Sequence, residues 1–79
     1  MGIEFTRNLA LFRDVVSVDE AEGLLEWLQK NPSARVDLSS CAHLHPANLQ
    51  VLMATRANVI AWPADSQFAA WLKSALAER

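Results

Sequence analysis

Val36-Asp-Leu-Ser-Ser-Cys-Ala-His-Leu-His-Pro-Ala-Asn-Leu-Gln-Val-Leu-Met-Ala54 is the stretch that decides how this chain is read. Ala34 to Leu38 is short, bounded by turn residues, and alternates Val36 with Leu38, as a buried strand does. Ser39-Ser40 follow, and the segment up to His45 reads as a tight turn. Pro46 suits the first turn of a helix, where its missing N–H loses nothing. Leu49, Leu52 and Met53 then supply a buried side, which Val51 broadens. The stretch predicts strand, turn, helix.

The flanks extend this pattern in both directions. Downstream, Asn58 to Trp62 is a second short apolar run closed by Pro63. Asp65 caps a last helix in which Phe68, Trp71, Leu72, Ala75 and Leu76 share a face. Upstream, Ser17-Val-Asp-Glu20 is a capping box. Ser17 accepts from the amide of residue 20, and Glu20 reaches back to the amide of residue 17. Asp19, Glu20 and Glu22 complement the positive end of that helix. Val18, Ala21, Leu24, Leu25 and Leu28 recur at helical spacing, and Lys30-Asn-Pro32 ends the run. Residues 3–12 hold two apolar-alternating pieces around Arg7-Asn8, a strand or a hairpin. Leu9, Leu11 and Val15 fall on one side of it, with Ala10, Phe12 and Val16 on the other.

The order is strands, helix, strand, helix, strand, helix. It predicts βαβ crossovers and an α/β fold: a mixed, mostly parallel sheet with helices packed against it. Residues 1–79 form a single domain, without repeats, linkers or low-complexity tracts.

Composition narrows the function classes. A chain of 79 residues with 52% hydrophobic residues builds a core near the lower size limit for one. The apolar surface left over is available to a partner or a second copy. Seven basic and nine acidic residues give a net charge of −2. The basic ones are scattered, with no patch to follow a phosphate backbone, which disfavours nucleic acid. No apolar run approaches the roughly 20 residues that cross a bilayer. One cysteine and no secretory leader pattern imply a cytoplasmic location.

Asp37-Leu38-Ser39, a short apolar segment, and Leu49-Gln50-Val51-Leu52 without a gap between them resemble the STAS domain. That family includes sulphate-transporter cytoplasmic domains and anti-sigma-factor antagonists. The family's Asp-Ser-Ser-Gly is replaced by His45, Pro46, Ala47 and Asn48. In the antagonists the serine before that glycine is phosphorylated by the anti-sigma kinase. Its counterpart here, Ala47, has no hydroxyl. The resemblance implies a non-enzymatic protein-interaction module without that switch. Its partner would be an anti-sigma-like kinase or a subunit of a bacterial membrane transporter, and no cofactor is implied. The expected partner surface is His45, Pro46, Ala47 and Asn48, with Trp27 as an exposed anchor.

Two further constellations bear on function. Cys41, His43 and His45 stand at i, i+2 and i+4. One face of an extended segment would gather them as ligands for zinc or copper, the basis of an alternative metal- or ligand-binding role. A fourth ligand is missing, since the chain has no other Cys or His. His45 precedes Pro46 at a helix start with no acidic residue in its first turn. It either covers the turn as a cap or leaves a small electropositive pole open to an anion or a carboxylate. No complete nucleophile–base set or carboxylate pair is visible, so an enzyme is not expected.

Overall fold

Helices α1 (Ala21–Lys30), α2 (Pro46–Thr55) and α3 (Ser66–Ala77) pack against one sheet. Its strands are β1 (Ile3–Phe5), β2 (Leu9–Val16), β3 (Arg35–Leu44) and β4 (Asn58–Ala61), side by side in chain order. The structure is a computed structural model that describes residues 2–77. β1 and β2 form an antiparallel hairpin, whereas β2–β3 and β3–β4 are parallel. The mixed, mostly parallel α/β sheet is as the element order predicts.

The hairpin follows the expected alternation. Ala10, Phe12 and Val16 are fully buried, Leu9 and Leu11 are half-buried, and Val15 is exposed. The first helical segment opens with a 3-10 turn, Val18–Glu20, before α1 begins. Asn31 closes α1: both its backbone N–H and its Nδ2 donate to the carbonyl of Trp27, at 2.9 and 2.8 Å. Asp65 caps α3 by accepting from the amide of Phe68 at 2.8 Å.

The helices lie in one layer, since α1 packs along α2 and α2 touches α3. Leu24 and Leu28 of α1, Leu49 and Leu52 of α2, and Leu72 and Leu76 of α3 join one cluster with the sheet. The sheet contributes Ile3, Ala10, Phe12, Val16, Val36, Leu38, Cys41 and Leu44. The core is therefore a single apolar layer between helices and strands, holding the chain to a radius of gyration of 11.1 Å.

The strand predicted to end near Leu38 runs on to Leu44. Two bulges make this possible. The β2–β3 register steps from Leu11↔Asp37 to Arg13↔Ser40, and from Asp14↔Cys41 to Val15↔His43. Each step inserts one extra residue on β3, so Leu38, Cys41 and Leu44 point inward three residues apart instead of two. At the first bulge, Asp37 Oδ1 accepts from the Ser39 amide at 2.8 Å and its hydroxyl at 2.6 Å. Asp14 of β2, at φ 51°, is left-handed between the two steps. The turn expected over residues 39–45 shrinks to His45.

Candidate functional site at the carboxyl ends of β2 and β3

β2 and β3 end together, and the 3-10 turn and α2 leave from that same edge. The His45 amide donates to the Val16 carbonyl at 2.9 Å, joining the two strand ends. Asn48 ties the α2 start to the other segment. Its Nδ2 donates to the Ser17 carbonyl at 2.7 Å and, more weakly, to that of Val16 at 3.4 Å. Asn48 is fully buried. Its Oδ1 has no hydrogen-bond donor among the described residues. Flipping the amide would set oxygen against two carbonyl oxygens, so the observed orientation is the favourable one. The expectation that Asn48 meets a partner directly is thereby corrected: its side chain is an internal tether.

His45 has the covering role. Its Nδ1 accepts from the Ala47 amide at 3.0 Å, and its carbonyl accepts from the amides of Asn48 and Leu49 at 2.9 and 3.4 Å. With Pro46 contributing no N–H, the first-turn amides are occupied from within. α2 therefore presents no open anion cradle, in spite of its lack of an acidic first-turn residue. Pro46 is exposed, and His45 and Ala47 are half-buried.

The opposite segment of this edge is fixed by Glu20. Its Oε1 accepts from the amides of Gly2 and Ile3 at 2.9 and 3.0 Å, and its Oε2 from that of Ser17 at 3.2 Å. The reach-back half of the capping box thus also anchors β1. Gly2 is required there, because a Cβ would run into the Val15 carbonyl oxygen. Val18 was expected in the apolar stripe of α1, yet it stands 51% exposed. It sits in the 3-10 turn packed beside α2, next in sequence to Ser17, whose carbonyl Asn48 holds.

The metal alternative is not supported by this geometry. Cys41 is buried and His43 exposed, because the second bulge breaks the i, i+2 alternation that would have aligned them. The Cys41 thiol donates to the His43 carbonyl at 3.4 Å. Burial pushes that thiol above its ordinary value of 9.0, opposed by this hydrogen bond and aided by the nearby Asp14 carboxylate. Among the described residues no three His, Cys, Asp or Glu side chains gather as a metal site.

The two tryptophan expectations exchange places. Trp27, expected as an exposed anchor, is half-buried against Phe5, with ring centroids 4.9 Å apart. Trp71, expected in the core, is 48% exposed and stacked beside Phe68 at 6.3 Å. Trp62 is half-buried, with Lys73 Nζ 5.5 Å from its ring centroid. Among the described residues, no helix is long and apolar enough to cross a membrane. Compared with protein-family models and with curated proteins, the chain matches none.

Proposed function

We propose that this chain is a non-enzymatic, STAS-like protein-interaction module that binds its partner through the rim where β2 and β3 end. Val18, His45, Pro46 and Ala47 supply the contact, while Asn48 and Glu20 hold their backbone in place from beneath. The observation that carries this reading is an exposed apolar side chain, Val18, in the 3-10 turn that packs on α2, together with an exposed Pro46 at a helix start whose amides are internally capped. Such a rim offers a partner shape and apolar area without demanding a charge. It suits a protein surface better than a small anion. The cytoplasm is the compartment that fits one buried, protonated thiol.

Ala47 stands where the resemblance would place a phosphoacceptor, so binding here is not gated by a phosphoserine at that position. Of the two settings implied by the resemblance, the accessory subunit of a bacterial transporter accords better with this loss than the anti-sigma pathway. The test is affinity purification from the native cell with the wild-type chain and a Val18→Glu/Pro46→Glu variant. Both positions are exposed, so the variant keeps its fold and loses the partner. Retention of every recovered protein by the variant would remove this rim from consideration. Asn48→Glu is unsuitable for the purpose, because a buried position reports on folding instead of binding.

A further inference from the structure

His45 holds the start of α2 in a way that only one charge state allows. Pro46, the first helical residue, has no N–H to offer, so the turn opens with the amides of Ala47, Asn48 and Leu49. Those of Asn48 and Leu49 donate to the His45 carbonyl at 2.9 and 3.4 Å, bonds that contain no titrating group. The amide of Ala47 donates instead to the ring, at Nδ1, 3.0 Å away. A ring nitrogen that accepts carries no proton, so this imidazole is neutral with its hydrogen on Nε2. The imidazolium bears a proton on both nitrogens and accepts nothing. Ser, Thr and Asn, the usual cap residues, keep their acceptor oxygen across the pH range in which histidine ordinarily titrates. His45 does not.

We propose that His45 is a pH-operated latch on the first turn of α2, closed as the neutral imidazole and open as the imidazolium. A proton on Nδ1 sets donor against donor at the Ala47 N–H, so the ring has to turn away. The new charge also stands at the positive end of the helix dipole, with no acidic residue in the first turn to offset it. Both effects push the same way. His45 is only half-buried, so the ring is not sealed from protons.

The neighbouring elements offer the imidazolium no ion pair. α2 has no ionisable side chain from Pro46 to Thr55. The 3-10 turn packed beside it carries Asp19 and Glu20, and Glu20 uses both oxygens on the amides of Gly2, Ile3 and Ser17. α1 adds Glu22, Glu26 and Lys30, and α3 adds Lys73. The ends of β2 and β3 bring Asp14, Cys41 and His43. Among the described residues none of these carboxylates pairs with His45. Opening stays local, because Asn48 remains tied to the Ser17 carbonyl at 2.7 Å whatever the pH. Residues 45–47 thus move against a fixed helix. In the open state the rim presents a cation and a free N–H where the closed state presents neither, so acidification changes what this surface can bind. The latch is read on the chain alone, and its failure would leave the partner reading of the rim standing.

Nuclear magnetic resonance of the 15N-labelled full chain between pH 7.5 and 5 tests the proposal, with circular dichroism melting as the check on folding. Side-chain carboxyls ordinarily titrate below that range. At pH 7.5 the His45 ring should show an unprotonated Nδ1 and a protonated Nε2. Amide exchange at Ala47, divided by its intrinsic rate at each pH, should be about fivefold faster at pH 5 in the wild type, the usual strength of a lost cap. Leu52, deeper in α2, should keep its protection. His45→Asn caps with an oxygen that does not titrate and should abolish the acceleration at Ala47. His43→Ala removes the one other histidine and should leave the acceleration in place. Equal acceleration in the wild type and His45→Asn overturns the proposal, because the acid effect then lies outside the ring. A protonated Nδ1 at pH 7.5 overturns it on the wild type alone, even if His45→Asn fails to fold.

Discussion

Asn48 is the residue on which the site depends, and the reason lies far from it in sequence. Its Nδ2 reaches carbonyls 31 and 32 residues away, which no local pattern displays. A polar residue in the first turn of a helix is read as outward-facing, and that reading fails when distant backbone needs a donor. Asn48→Asp keeps the shape but replaces the donor with an oxygen facing two carbonyls. It should cost about 3 kcal/mol or more in urea denaturation at pH 7, and less at pH 4, where the new carboxyl can be protonated. Equal loss at both pH values would place the damage elsewhere. Cys41 makes a second prediction at this scale. Burial raises its thiol above 9.0, so above that pH the native state keeps a proton that the unfolded chain releases. Its contribution is full below pH 9 and declines as pH rises through the native value. Wild type should therefore lose stability relative to Cys41→Ala between pH 8.5 and 10.5. A constant difference between the two across that range would contradict the burial of the thiol.

At the scale of elements, legibility followed period. β2 kept its alternation wherever the hairpin imposed it, and Ala10, Phe12 and Val16 were readable as one inward set. β3 did not, because two bulges changed its inward spacing from two to three. Neither bulge has a local signal beyond Asp37 and Ser39. That single change lengthened the strand, dispersed Cys41, His43 and His45, and reduced the expected turn to one residue. The tryptophans failed for a different reason. A helical wheel fixes which side Trp27 and Trp71 occupy, but not that Phe5 extends to cover the first, while the second, stacked beside Phe68 of its own helix, stays 48% exposed. Two substitutions test the local energetics. Gly23 is exposed inside α1, with open space where a Cβ would go. Gly23→Ala should stabilise the protein by about 0.5–1 kcal/mol. Arg56, with φ 54° at the end of α2, holds a left-handed conformation that glycine adopts freely. Arg56→Gly should raise stability by up to about 1 kcal/mol in thermal melts. A loss on Gly23→Ala would mean that the added methyl meets a neighbour, and a loss on Arg56→Gly that the arginine side chain makes a contact worth more than its backbone cost.

For the whole molecule, Glu20 joins parts that the core alone would not fix. β1 has three residues, and its first amide, that of Ile3, and the Gly2 amide before it end on one carboxylate that also holds the start of the 3-10 turn. The capping box was legible in Ser17-Val-Asp-Glu20, whereas the tether to Gly2 and Ile3 was not, because it spans 17 and 18 residues. Glu20→Ala should cost about 2 kcal/mol and should raise amide exchange at Ile3 well before that in β3. Uniform acceleration across the sheet would show that Glu20 supports global stability alone. The same arrangement gathers two strand ends, two helical starts and the amino-terminal end of β1 at the rim, joined by the hydrogen bonds of Glu20, His45 and Asn48. Site-directed photocrosslinking in the native cell tests the central claim most directly. A photoreactive residue is placed in turn at Val18, Pro46 and, as an exposed control on α3, Ala70. Positions 18 and 46 are predicted to yield the same heavier adduct, absent at position 70. An adduct from position 70 with none from 18 or 46 would contradict the assignment of the rim as the partner surface.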